Sequence, residues 1–599
     1  KDFDTFRFDA KKGEVWRIEV ISARVGAPGD PAVIIGRLDK KSVDGKMVET
    51  GTPLLDNLDE DTTAFGLPVN GASKFEARSE DPRALWTVPA DGSYYVQIRN
   101  LYGAGQFGTR FVYRLRIRPA QPDFRVAIIN PEDARGGAVS VSAGCHAAYQ
   151  VIAGRYDGFD GTIKVEVQGL PKGVTCPPTY LGPAQVQAPL VFRADDKAEA
   201  WAGIIRVVAT ATIAGKTVTR DARGAQILDP GSQQGGGRVV RVTGEIALAV
   251  RENGFFSLES KEKEVSMVPG GKVDVEFKLK KMDGYDDVVT ISLFETAQMP
   301  TQNQQAKAVA TIAKGKDTAT VPINVAKNQP YGKYTYAVLG QGTVNVSTEA
   351  KTSKNKKGKA TKTYEPSNSI TVNVAPPFEF AKPAIPARMF LGESVEVPLT
   401  VKRLAGVTED IKVALTIPGK SASADALTLA KGSGEGKFVI KTDPKAAPGP
   451  ITGFKLLGTV AVGGNPLSVN EDLDATLEVV APFTVALADD GGGKLVAGTG
   501  DLKVKVKVTR AAGYDGEIKL VYEGGPAGKT VTADAVTVPK GQSEATLTVK
   551  ADAKTPAGNR TDGIKVSGAL SKGEYATAVP LKLAVTLPPK ETPKDPKKK

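Results

Sequence analysis

Arg155-Tyr156-Asp157-Gly158-Phe159-Asp160-Gly161 runs directly into Thr162-Ile163-Lys164-Val165-Glu166-Val167, and this stretch decides the fold because versions of it return three times. Lys281-Met282-Asp283-Gly284-Tyr285-Asp286-Asp287 leads into Val288–Leu293, Arg403-Leu404-Ala405-Gly406 into Ile411–Leu415, and Arg510-Ala511-Ala512-Gly513-Tyr514-Asp515-Gly516 into Glu517–Tyr522. Each copy is a cation, a glycine-centred turn and an alternating strand. The copies begin at residues 155, 281, 403 and 510. That spacing is too long for a solenoid repeat and suits a self-contained domain in tandem.

Other features keep the same phase. Each unit opens on Phe within alternating residues, at Phe124, Phe256, Phe378 and Phe483. The last two follow Pro hinges at Ala375-Pro376-Pro377 and Ala481-Pro482, which restrict bending. Late in three units a Lys-Gly turn precedes a strand, at Lys314-Gly315, Lys431-Gly432 and Lys540-Gly541. The alternation is plainest at Leu502-Lys503-Val504-Lys505-Val506-Lys507-Val508, where apolar and Lys side chains take opposite faces of a strand. Short alternating strands punctuated by Gly, Pro and Asp turns predict β-sandwiches, and no long segment has helical period.

At 599 residues the chain exceeds what one hydrophobic core supports. The boundaries read as 1–119, 120–252, 253–376, 377–481 and 482–588, with a basic tail at 589–599. A flexible loop at Asp229–Gly237 is expected to precede one closing strand, Val239–Val250, within the second unit; the alternative puts a boundary there. No run of eighteen apolar residues predicts a membrane span.

Net charge is +12, and two short segments carry most of it. Lys351–Lys362 holds six Lys and no acid, and Lys590–Lys599 holds five Lys against Glu591 and Asp595. These runs read either as solvated segments or as sites for an anionic polysaccharide or lipid head groups. Nucleic acid is not expected, since they lack interleaved aromatics and no recognition helix is apparent.

Catalysis is not expected. The chain's one histidine, His146, follows Cys145, and no nucleophile-elbow pattern accompanies it. Gly235-Gly236-Gly237 and Gly491-Gly492-Gly493 lack the Lys-Ser/Thr and helix of a phosphate cradle. Cys145 and Cys176, 31 residues apart, are expected either as a bridge between two strands or as two buried thiols. With His146 they fall one ligand short of a structural zinc site. Trp201 is a candidate core anchor. Tyr95, Tyr102 and Phe107 are the aromatics a sugar-binding platform would use.

Residues 1–119 differ from the repeats. Asp2–Phe8, Ala10–Gly13, Ala23–Pro31, Pro89–Val96 and Tyr113–Leu115 resemble, in order, the bacterial pre-peptidase C-terminal (PPC) domain. The resemblance covers about the first fifth of the chain and implies a secreted, non-catalytic β-sandwich whose opening strand would precede Lys1. With Ig-like units after it, the chain is similar to large surface proteins of planctomycete-type bacteria. Some PPC domains bind calcium through acidic loops; the acids in the matching region are Asp30, Asp59, Glu60, Asp61 and Asp81. Ca²⁺ takes such oxygen ligands. Thr62–Glu80, however, reads as an insertion, no Asp-x-Asp-x-Asp-Gly loop is present, and the alternative is turn-forming aspartates.

The expected architecture is all-β: a PPC-like jelly-roll sandwich plus four Ig-like sandwiches in an elongated array. The expected role is a spacer, adhesion or assembly component in an extracellular, cell-surface or periplasmic setting. Its expected partners are other envelope or extracellular proteins, or itself. The alternatives are the accessory region of a larger secreted enzyme and a carbohydrate-binding array.

Overall fold

The structure, a computed structural model, describes residues 3–44, 46–58, 81–101, 110, 112–131, 137–228, 239–252, 254–282, 284–294, 308–346, 359–524 and 530–589. Among these the regular elements are β-strands and two short 3₁₀ turns. Two compact units, Lys1–Ala375 and Pro376–Lys599, divide the chain.

In the second unit, one sheet runs in the order Phe378–Ala381, Ser394–Arg403, Glu435–Thr442, Ala422–Ala424. Its facing sheet runs Arg388–Phe390, Asn465–Val480, Gly449–Val462, Ile411–Thr416, Leu427–Leu429. The same two orders recur over Phe483–Thr586. The chain's opening segment is thus split. Phe378–Ala381 lies antiparallel to Ser394–Arg403, and Arg388–Phe390 then crosses to the other sheet and lies parallel to the last strand, at Glu478–Val480. Lys494–Val496 repeats this against Ala584–Thr586.

The first unit carries the split twice more, with Val139–Ser142 parallel to Leu248–Arg251 and Glu264–Met267 parallel to Thr371–Val374. Residues 4–119 form sheets of their own: Asp4–Ala10, Gly92–Asn100, Pro31–Val43, Lys46–Leu58 in one, and Arg83–Thr87, Val15–Ile21, Arg114–Pro119 in the other. Between Trp201–Ile213 and Ile246–Arg251 the sandwich over residues 123–251 inserts three further strands. The predicted closing strand Val239–Val250 is therefore two strands. Val239–Val242 pairs with Arg223–Leu228 in one sheet, and Ile246–Arg251 pairs with Trp201–Ile213 in the other. Thr243-Gly244-Glu245 makes the crossing; Gly224 admits the Glu245 carbonyl where a Cβ would stand 2.5 Å away.

Each repeat core is built on its opening phenylalanine. Phe124, Phe256, Phe378 and Phe483 are all 1% exposed or less. In three sandwiches the aromatic of the repeat turn packs on it: Phe159 on Phe124 at 5.6 Å, Tyr285 on Phe256 at 5.0 Å and Tyr514 on Phe483 at 5.6 Å between ring centroids. Burying each such ring stabilises by about 1.5–3 kcal/mol. The Lys503–Lys507 strand behaves as its alternation requires, with Leu502, Val504, Val506 and Val508 buried and the lysines outward.

Candidate functional site at the joints between sandwiches

The repeat cation is a clamp. Arg403 donates to the carbonyls of Glu409 (2.6 Å), Ala430 (3.0 Å) and Ser433 (2.8 Å). Arg510 repeats the set on Gly516, Pro539 (3.0 Å) and Gln542 (3.3 Å), and Arg155 on Gly161, Gly182 (2.7 Å) and Gln185 (3.2 Å). The first acceptor is always six residues on, and the others flank a turn packed beside it. A planar guanidinium has a rigid fork of donors that reaches all three; an ammonium does not. Lys281 departs accordingly and pairs with Asp286 at 2.6 Å.

The turn that follows the clamp meets the preceding sandwich. Asp157 sits in a left-handed conformation (φ +53°), which aspartate tolerates better than most residues. Its carboxylate accepts from Arg17 (2.6 Å) and Arg118 (2.6 Å) of residues 4–119 and from the Gln121 amide (2.9 Å). The Arg17 and Asp157 side chains are 6% and 2% exposed. Burial pushes the Asp157 carboxyl upward, but the Gln121 amide and the two guanidinium groups outweigh it and hold it below the usual carboxylate range.

In the next joint Met282 reaches Gly144, and Lys280 pairs with Asp196 at 2.6 Å. An apolar cluster closes the face, with Ala148 and Val191 on one side and Phe294, Ala337 and Leu339 on the other. Tyr334 lies on Gly182, where a Cβ would stand 2.2 Å from its ring, so the loop that Arg155 clamps also receives the neighbouring sandwich. Thr335 Oγ1 accepts from the Tyr180 amide at 2.7 Å. The Cys145 thiol donates to the Phe256 carbonyl at 3.3 Å, and Ser257 Oγ lies 3.3 Å from His146 Nδ1.

In the unit Pro376–Lys599, Ala512 of the repeat turn accepts from Arg388 at 2.9 Å, and Phe390 meets Tyr514 edge-on. Here the backbones touch: Glu393 and Gly573 form a bridge, and Ser394 donates to the Lys572 carbonyl at 2.9 Å. Glu396 pairs with Lys437 (2.6 Å) and Lys572 (3.0 Å), hydrogen bonds that hold its carboxyl down to about 2.

The sequence-predicted sites fare differently. Cys145, buried, and Cys176, half-buried, are free thiols in the structure, the second of the two alternatives the sequence left open. Thr175 and His146 both register on Arg193, from opposite sides of the strand Gln187–Ala194. Their cysteine neighbours are therefore two strand spacings apart, roughly 9.5 Å, beyond the reach of a disulfide. Asp81 is fully buried; it accepts from the Ser22 (2.7 Å), Ala23 (2.7 Å) and Arg24 (3.1 Å) amides and from Arg24 Nε (2.6 Å), which makes it the anchor of that loop. Asp30 accepts the Leu101 amide through its carbonyl. Asp59, Glu60 and Asp61 lie outside the described residues, and among the described residues no group of three or more His, Cys, Asp or Glu could hold a metal. Tyr95 is 9% exposed and packed over Gly36 and Gly51, so it is no part of an open platform; Tyr102 and Phe107 lie outside the described residues. So do Lys590–Lys599 and Lys351–Gly358. Trp201 packs partly buried against its core.

His146 is 2% exposed, and burial lowers it to about 4, so it is neutral and closed to a substrate in solvent. Sequence reasoning missed Arg17, Arg118, Ser257 and the Gly573 contact. Only Asp157 carried a signal, as the turn residue of the repeat.

No protein-family model and no curated protein sequence matches the chain. Solved structures similar to it include Dpr2 Ig1-Ig2 in complex with DIP-Theta Ig1-Ig3, at 11% identity over 55% of this chain and 99% of that one, TM-score 0.20. The fibronectin(III)-like modules of Clostridium thermocellum CbhA match at 16% identity over 36% and 97%, TM-score 0.16. The N-terminal four Ig domains of Dscam1 isoform 4.4 match at 12% identity over 78% and 100%, TM-score 0.12. Scores this low carry no functional argument; the tandem sandwich fold rests on the strand orders above. No helix among the described residues is long and apolar enough to cross a membrane.

Proposed function

We propose that the chain is a non-catalytic structural component outside the cytoplasm, a spacer, adhesion or assembly protein that holds neighbouring sandwiches within each compact unit in fixed relation. The observation behind this is the Asp157 joint. A buried carboxylate shared by two guanidinium groups of the preceding sandwich fixes the angle between them, because any swing leaves charge buried and unpaired. The clamp makes the turn a stiff presenter in each Arg-bearing copy. Partners in this reading are other extracellular proteins or a second copy, with anionic polysaccharide at the Lys351–Lys362 and Lys590–Lys599 runs. A calcium ion in this reading would draw on Asp30, Asp59, Asp61 and Asp81, of which Asp81 is already engaged by Arg24 and three backbone amides.

The test is a distance distribution between spin labels placed on the sandwiches of residues 4–119 and 123–251. A narrow distribution that broadens in Asp157→Ala is expected; a broad one in the unaltered chain overturns the reading. Light scattering with and without millimolar Ca²⁺, against a chain mass of 62.9 kDa, reads the assembly state.

A further inference from the structure

We propose that the joint between the sandwiches of residues 123–251 and 256–374 is an acid-operated latch, in which protonation of His146 drives the two faces apart. His146 opens the strand His146–Tyr156 on the face that the neighbouring sandwich covers. Its Nδ1 is satisfied across the joint by Ser257 Oγ, itself 1% exposed. Its Nε2 is buried and meets no hydrogen-bond partner among the described residues. A neutral imidazole tolerates this with Nε2 as a bare acceptor. An imidazolium carries a donor at both nitrogens, and a buried charge with one N–H unmet is costly.

The surroundings sharpen the penalty. Arg193 stands directly across the strand pair from His146, and Lys263 adds a second positive field. Glu259 opposes them, but it is engaged by Arg193 at 2.9 Å. Glu365, Asp196 and Lys280 complete the charged groups around the adjoining Cys145. Opening the joint releases the imidazole to water, where it accepts its proton at its ordinary value. Burial holds it at about 4 while the joint is shut. Linkage between that value and an ordinary one of about 6.5 favours the open form by roughly sixtyfold more at pH 4.5 than at pH 7.

Cys145 reports the opening. It is fully buried in the same joint, and it reacts only when the faces part. The experiment treats the full chain with a dithiodipyridine, whose disulfide is attacked by thiols even in acid, forming a mixed disulfide and releasing one thiopyridone. Labelled peptides are resolved by mass spectrometry so that Cys145 is read apart from Cys176, and rates are normalised to glutathione at each pH. The expected result is at least a tenfold rise at Cys145 from pH 7 to 4.5, and under twofold in His146→Gln. A flat profile, or an equal rise in the variant, overturns the proposal. So does loss of hydrogen-exchange protection over residues 378–586 at the same pH, which marks global unfolding instead. Should His146→Gln not fold, the imidazole ¹³C resonance of the unaltered chain decides, since it is the chain's one histidine. Protonation that tracks Cys145 labelling supports the latch, and titration near pH 6.5 with Cys145 still unreactive overturns it.

Discussion

The joint at Asp157 and the joint at Gly573 use the same repeat turn and opposite physics. At Asp157 the turn offers a buried carboxylate, and two arginines from the preceding sandwich, buried Arg17 and half-buried Arg118, converge on it. At the equivalent place in the last sandwich stands Ala512, which offers only its carbonyl. The work passes to backbone contact at Gly392 and Gly573, surrounded by exposed pairs at Glu396. The turn's geometry is thus held while its chemistry varies, so one joint is sensitive to charge and the other to the volume of a single methyl group.

The largest effect expected from breaking this comparison is at Asp157. Replacing it by Ala strands the buried Arg17, and urea denaturation should show a loss of about 3–5 kcal/mol. Next is Gly573→Ala. Gly573 has φ +129°, and a Cβ there would stand 2.0 Å from the Gly392 carbonyl oxygen. A cost of about 1–3 kcal/mol is expected, with a faster-exchanging Ser394 amide as the local sign. Arg510→Lys should cost about 1–2 kcal/mol through lost carbonyl contacts. Lys281→Met, where no fork exists to lose, should cost less; equal losses would break the contrast between clamp and substitute. Smallest is Glu396. Its carboxyl is depressed to about 2 from an ordinary 4.5, so its contribution is present above the ordinary value and lost as pH falls toward 2. The groups are exposed and screened, so acid melts of Glu396→Gln should differ from the parent only slightly, and not at all in molar salt.

The sequence made legible whatever repeats locally. Phe124, Phe256, Phe378 and Phe483 read as openings and are core residues, and the Lys503–Lys507 alternation read as a half-exposed strand. The cations at 155, 403 and 510 read as markers of the repeat, but their role did not, because a carbonyl acceptor leaves no trace in side-chain identity. Asp157 read as a turn residue because its partner Arg17 lies 140 residues away. The crossing at Thr243–Glu245 was illegible for a related reason: strand alternation persists through it, and only the positions of other strands show that the chain changes sheets. The choice between a Cys145–Cys176 bridge and two thiols stayed open because it turns on strand order, which a spacing of 31 residues does not encode.

The parallel pairing of each split opening segment with its own last strand has a mechanical consequence. Tension applied along the chain leaves a sandwich at its last strand, and from the other end it reaches the second half of the split opening segment once the first half has come off its own sheet. At Lys494–Val496 against Ala584–Thr586, and at the three equivalent pairs, those strands run side by side in the same direction. The load therefore lies across their hydrogen bonds, which must give way together in shear instead of opening singly like a zipper. A chain pulled from both ends meets, in each repeat, a small brake set just behind the first strand.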